Sequence, residues 1–195
     1  MRSIEMSYET AEELDAVNDL LAAIGESPVN TLEGDPNADV GNARRILNNV
    51  NREIQAKGWS FNIDEGETLL PEAFTKLIPF MSDYLKVTSP GGTPYIRRGE
   101  YLYDRTAKTD EFEGPVQVDL IRLKTYSEMP ECFRAYIIAK ASRRFNTFFF
   151  GAAEVDAQLA NQEQESYQTC MEYELDFGEF NMLDGDAFVQ GKINR

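Results

Sequence analysis

The sequence predicts an α+β fold, a helical bundle of about four helices carrying a small inserted antiparallel β domain. Two changes of hydrophobic period support this. Apolar residues recur at helical spacing as far as Gly58, alternate at strand spacing from Trp59 to about Lys124, and return to helical spacing from Pro130. The expected domains are therefore 1–58 with 125–180 for the bundle, 59–124 for the inserted β domain, and 181–195 for a C-terminal tail. A chain of 195 residues, 42% hydrophobic and 11% aromatic, has the material for one shared core.

The first helix runs from Thr10 to Ile24, with Leu14, Val17, Leu20, Leu21 and Ile24 on one face. Thr10 and Glu13 have capping-box spacing, and Gly25 is placed to end the helix. A polar connection holding Pro28, Gly34 and Pro36 leads to a second helix marked by Val40, Ala43, Leu47, Val50 and Ile54 and stopped at Gly58. Its other face carries Arg44, Arg45, Arg52 and Lys57, the most positive element of the chain; solvation accounts for such a face, and an acidic neighbour would also suit it.

Trp59, Phe61 and Ile63 alternate with Ser60 and Asn62 as a strand would. SPGGTP marks a turn, YIRRGEYLYDRT reads as a hairpin about Arg98 and Gly99, and Val116, Val118 and Leu120 alternate again. Pro130 opens a third helix with Phe133, Ile137, Ala141 and Phe145 on its stripe. The run Phe148, Phe149, Phe150 is read as packing under the next helix, with a subunit contact as the alternative. The last helix, about Ala153 to Leu175, is rich in Glu and Gln and has a thin apolar stripe of Val155, Leu159, Cys170 and Met171. The tail beyond it carries Phe180, Met182, Leu183 and Phe188 without any period, which suits either docking on a neighbour or a strap over its own helices.

Charge and residue usage exclude more than they assign. The formal net charge of −15 repels a phosphate backbone, which excludes sequence-specific reading of DNA; it suits a surface that DNA must slide past, and it also serves plain solubility. The chain has no histidine, so His-based triads, Cys-His pairs and histidine metal sites are out. No P-loop or dinucleotide turn is present, and no cofactor or metal is expected. Asp35, Asn37 and Asp39 begin like a calcium loop, but Val40 stands where the turn needs Gly and Ile46 where the bidentate Glu belongs, so an Asx-rich turn entering a helix is expected. Cys132 and Cys170 read as reduced, buried small hydrophobes. The start MRSIEMSYETAEELDA has no signal-peptide run and no stretch is fit to span a bilayer, so we expect synthesis in a cytoplasm and no membrane insertion.

Carboxylates are the remaining route to catalysis. A glycosidase needs two, one kept protonated by burial and one ionised. Asp64, Glu65 and Glu67 are the candidates, because Trp59 and Phe61 lie near as possible sugar platforms; a solvated acidic surface is the favoured reading.

Three segments decide the reading: AVNDLLAAIGESPVNTLEGDPNADVGNARRILNNVNREIQAKGWSFN, EMPECFRAYIIAKASRRFNTFFFGA and CMEYELDFGEFNMLDGDAF. They resemble the tail tubular protein A family of short-tailed podoviruses of the autographivirus type. The likeness runs through nearly the whole chain in order, including GW, YDRT, MPECFR and NMLDGDAF, and is weakest from Val87 to Val118. The resemblance implies a structural virion protein, a gatekeeper adaptor ring (a dodecamer) that joins the portal protein to the nozzle protein, tail tubular protein B. It implies a helical bundle bearing a β domain, and a channel through which DNA passes unread. The protein would be made in the host bacterial cytoplasm and reside in the virion tail. Arg44, Arg45 and Arg52 against an acidic neighbouring face, and Phe180, Met182, Leu183 and Phe188 of the tail, are the expected subunit or partner contacts. Two other readings stand beside it: a polysaccharide- or envelope-degrading hydrolase using Asp64, Glu65 and Glu67, instead of the structural role or in addition to it, and a cytoplasmic regulatory binding module.

Overall fold

The computed structural model describes residues 11–33, 37–92 and 94–177. Its elements are α1 (Ala11–Ala22), α2 (Ala38–Gln55), β1 (Ile63–Leu69), β2 (Tyr84–Thr88), β3 (Pro94–Arg98), β4 (Tyr101–Asp104), β5 (Val116–Arg122), α3 (Glu131–Phe149) and α4 (Ala153–Phe177), with a 3₁₀ turn at Tyr126–Glu128. Four helices and one antiparallel sheet make the α+β fold that the two period changes predict. The chain divides into two compact units, one drawn from Met1–Leu47 and Pro130–Arg195, the other being Asn48–Met129. The helix α2 begins in the first and ends in the second.

In the first unit, Val17, Leu20 and Leu21 of α1 are buried as the helical period requires. Gly25, at φ 79°, ends the helix because it takes the left-handed turn without a Cβ penalty; Gly25 N–H donates to Ala22 O and Glu26 N–H to Leu21 O. Asn18 then fixes the connection that follows, its side chain donating to Val29 O (3.0 Å) and accepting from Val29 N–H (2.8 Å). The capping box was expected on Thr10, which lies outside the described residues. Asp39 N–H donates to Asn37 Oδ1 at 3.3 Å, an Asx turn at the start of α2; Asp35 lies outside the described residues.

Helices α3 and α4 form a hairpin, turning at Gly151 (φ 65°), whose N–H caps Asn146 O at 2.8 Å. Their seam differs from the expected stripe. Leu159 and Cys170 are buried, but Met171 is 36% exposed, and the remaining positions are taken by tyrosines: Tyr167 meets Tyr136 (centroids 5.3 Å apart) and Tyr173 meets Phe133 (5.9 Å). Aromatic pairs contribute about 0.5–1.5 kcal/mol beyond their burial, whereas a half-exposed ion pair contributes about 0–1 kcal/mol. The tyrosine seam therefore outweighs the pairing of Arg143 with Asp156 and Glu163, both at 3.1 Å. The run Phe148, Phe149, Phe150 is not core: these side chains are 65%, 41% and 52% exposed. They fall at and just past the end of α3, where the helix leaves the face that buries Phe145.

In the second unit the sheet order is β1-β5-β2-β3-β4, every pairing antiparallel. β5 pairs with β1 and β2, and its Val118 and Leu120 join Leu69, Ile78, Val87, Leu102 and Phe112 in one apolar cluster. The expected hairpin is present, with Arg98 opposite Tyr101 across Gly99 and Glu100.

The strand expected from Trp59 starts only at Ile63. The apparent alternation belongs to a turn organised by Asn62, which is fully buried. Its Oδ1 accepts from Trp59 N–H (2.8 Å), and its Nδ2 donates to Gln55 O (3.0 Å) and Arg122 O (2.9 Å). Gln55, equally buried, donates to Asn51 Oδ1 and Lys124 O and accepts from Lys124 N–H. Gly58 stands here at φ 81°, where an added Cβ would lie 2.8 Å from Ile121 Cδ1, so only glycine fits the turn without strain.

Two predictions follow from these buried groups. Replacing Asn62 by Ala removes three hydrogen bonds to backbone groups, each contributing about 0.5–1.5 kcal/mol net, so urea unfolding should show a loss of about 2 kcal/mol or more; a change below about 1 kcal/mol would contradict the role assigned to Asn62. Burial, with the neighbouring Cys132 thiol, pushes the Cys170 thiol from an ordinary 9.0 to about 12. The folded chain keeps that proton while the unfolded chain releases it, so the contribution to stability is full below about pH 9 and is lost as pH rises toward about 12. Urea titrations of wild type and Cys170→Ala at a series of alkaline pH values should show a steeper decline for wild type.

Candidate assembly surfaces

The catalytic candidates sit on β1, whose register against β5 slips between Asp64 and Glu67, with Gly66 at φ 68° in the bulge. The slip sets Asp64 and Glu67 beside Arg122 at the end of β5. Arg122 Nε lies 2.6 Å from Asp64 Oδ2, Nη2 lies 3.4 Å from Glu67 Oε1, and Nη1 lies 3.3 Å from Asp83 Oδ2. The Nε–H is not aligned on Asp64, so that contact is an ion pair and not also a hydrogen bond. Lys124 Nζ approaches the other Asp64 oxygen at 3.7 Å, and the Tyr84 ring lies under the guanidinium at 5.2 Å. Burial works against the Arg122 charge, yet Tyr84, Asp64, Asp83 and Glu67 together outweigh it and hold its pKa above the usual value.

This is the arrangement of a structural ion-pair node. Both Asp64 oxygens face cations, Glu65 is exposed on the bulge, and Glu67 is 47% exposed, whereas a general acid needs an apolar wall to keep its proton. Trp59 is no sugar platform: it is 7% exposed, and its ring N–H donates to Ile54 O at 2.8 Å. Among the described residues, no group of three or more His, Cys, Asp or Glu is placed to hold a metal, and no helix is long and apolar enough to cross a membrane.

The three arginines of α2 have separate fates. Arg44 turns toward its own α1, with Nε 2.9 Å from Glu13 Oε1. Arg45 and Arg52 are exposed on one helical stripe, seven positions apart, and make no ion pair among the described residues. Sequence spacing could have separated them, since Arg45 and Arg52 lie opposite the buried Ala43, Leu47, Val50 and Ile54, while Arg44 lies at the edge of that apolar stripe. Phe180, Met182, Leu183 and Phe188 lie outside the described residues. The helix α4 exposes Glu154, Glu165, Glu172 and Asp176 and contains no Lys or Arg.

The clustered carboxylates Asp64, Glu67 and Asp83 are thus engaged by Arg122, which ties the ends of strands together. Residues 14–180 match the family model Tube, described as tail tubular protein. The chain is 29% identical over 156 residues to tail tubular protein A of Klebsiella phage KP34, covering 79% of this chain and 80% of that protein. It is 76% identical over 29 residues to tail tubular protein A of Enterobacteria phage T3, covering 15% of this chain and 97% of that sequence. The chain belongs to the tail tubular protein family and is a structural protein of a short-tailed bacteriophage tail.

The node gives a test that separates stability from chemistry. Arg122→Ala leaves Asp64, Glu67 and Asp83 without their shared cation and should lower unfolding free energy by about 1–3 kcal/mol. Asp64→Ala should cost a smaller part of that and Glu65→Ala close to nothing, as read by thermal denaturation. A loss of glycan cleavage in any of the Asp64, Glu65 or Glu67 alanine variants, with assembly intact, is the result that would restore a hydrolase.

Proposed function

We propose that this chain is the gatekeeper adaptor of the tail, assembling into a dodecameric ring that joins the portal to the nozzle protein and lines the DNA exit channel. The helical residues, 1–58 and 125–180, build the ring wall in this reading. The inserted β domain, 59–124, and the tail, 181–195, supply further contacts. The role needs no catalysis and no cofactor.

The observation that carries the reading is the charge pattern of α4. Along 25 residues it holds Glu154, Asp156, Glu163, Glu165, Glu172, Glu174 and Asp176 and not one cation. Arg143 of α3 meets Asp156 and Glu163, and the exposed Glu154, Glu172 and Asp176 give a channel wall that repels the phosphate backbone, so DNA moves past without the counterion-releasing contacts that would make it stick. The net charge of −15 extends the same repulsion to the whole subunit. Ring closure requires two different complementary surfaces on each copy. Arg45 and Arg52 offer one, and Phe180, Met182, Leu183 and Phe188 are contacts for a neighbour or for the nozzle.

The test is mass by light scattering, for the purified chain alone and after adding the portal and nozzle proteins of the same phage. A ring-sized complex formed with the portal is expected, because the portal templates the ring and mass action then holds it. A chain that stays monomeric in the presence of both partners would overturn the adaptor reading.

A further inference from the structure

Both α1 and α4 pack against α3, and over α3 they leave a groove of about 680 Å³ between them. Its floor carries Ile138 among the small side chains Ala135, Ala139 and Ser142, and its walls carry Asp19 from α1 and Glu165 from α4. No Lys or Arg lines it. Neither Asp19 nor Glu165 has a cation partner among the described residues, whereas the other acids of α4 that face α3, Asp156 and Glu163, are both met by Arg143. Burial and the nearby Asp15 hold the Asp19 carboxyl above the usual carboxylate range, the condition of an acid that lacks a counterion.

The exposed stripe of α2 complements this groove. It runs Gly41, Arg45, Asn48, Asn49, Arg52, small or amide residues broken by two arginines that the chain leaves unneutralised among the described residues. Gly41 to Arg52 is twelve residues and eleven helical rises, roughly 16 Å at 1.5 Å each. The groove follows α3 from Glu131 to Ser142, the same length. Gly41 on the stripe and Ala135, Ala139 and Ser142 in the groove favour a close approach, and an arginine side chain has the length to reach a carboxylate on the walls. The groove and the α2 stripe share no residue, so the pairing is head to tail, the kind that propagates around a closed ring.

We propose that the α2 stripe of one copy docks in the α1/α3/α4 groove of the next, with Arg45 and Arg52 neutralising Asp19 and Glu165, and that this is the contact between neighbouring subunits. The assignment rests on the ring reading above and names its interface.

Charge reversal tests it on the full chain. Arg45→Glu/Arg52→Glu and Asp19→Lys/Glu165→Lys each set like charges against each other in a ring of one variant. Each alone should raise the concentration needed for the portal-templated complex by on the order of a hundredfold or more. All four positions are on exposed faces or the groove wall, so circular dichroism and the melting temperature should stay near wild type. An equimolar mixture of the two variants should regain the complex, because alternating copies restore opposite charges at every contact; a dodecamer has the even number this needs. A single chain carrying all four changes should regain it irrespective of subunit number. Rescue of this kind cannot come from misfolding. If wild type assembles and Arg45→Glu/Arg52→Glu assembles equally well, or if both double variants fail and neither the mixture nor the fourfold variant recovers, this pairing is wrong while the ring stands. If wild type itself never assembles with the portal, the ring reading fails and this pairing with it.

Discussion

The structure of the second unit depends on a pair of buried amides. Asn62 and Gln55 lie where α2 ends, β1 begins and β5 ends, and apart from the Gln55 bond to Asn51 within α2 their side-chain bonds join those three places. A buried amide left unpaired costs about 1–3 kcal/mol, and one that is paired contributes only about 1 kcal/mol net, so these groups tolerate very few alternatives. The consequence is topological. The chain enters and leaves the sheet at one point, which brings Ile63 of β1 opposite Ile121 of β5 although they are far apart in sequence. Once β5 is held there, Arg122 lies between Asp64 and Glu67 on one side and Asp83 and Tyr84 on the other, and Leu123 N–H donates to Asp83 O at 2.7 Å. The carboxylate cluster that invites a catalytic reading from sequence is a result of this closure.

Much of the fold was legible in the sequence, because periodicity reports burial directly. The helix faces of α1, α2 and α3, the hairpin at Gly99 and the return to helix at Pro130 all follow from it. The failures have a common cause, since periodicity cannot report a polar group's partner. Trp59, Phe61 and Ile63 alternate in the sequence, but Asn62 between them is the buried residue, and its bonds bend the chain into a turn. Along α4 the stripe looked thin because tyrosines count as half polar, yet Tyr167 and Tyr173 present their rings to Tyr136 and Phe133. Phe148, Phe149 and Phe150 show the opposite error, three apolar residues in a row of which a helix end can bury few. The arginines of α2 were grouped by sequence, and a single contact to Glu13 separates Arg44 from the two that face outward.

The placement of the cations explains how an acidic chain keeps some acids bare and others neutralised. Arg122 gathers three carboxylates at a strand end, Arg143 holds two across the α3–α4 hairpin, Arg44 joins α2 to α1, and Lys76 holds Glu113. Arg122, Arg143 and Arg44 stand at junctions between elements, where an ion pair fixes geometry as well as offsetting charge. What remains is an excess of acid on continuous faces, above all along α4. A surplus scattered at random would serve solubility alone, because isolated surface charges are screened beyond about 8 Å at physiological salt. Glu172 and Asp176 stand one turn apart near the end of α4, about 6 Å along the axis, so their fields add. Among the described residues the same imbalance leaves Asp19 and Glu165 without a cation, while Arg45 and Arg52 stand on one exposed stripe of α2 without an acid.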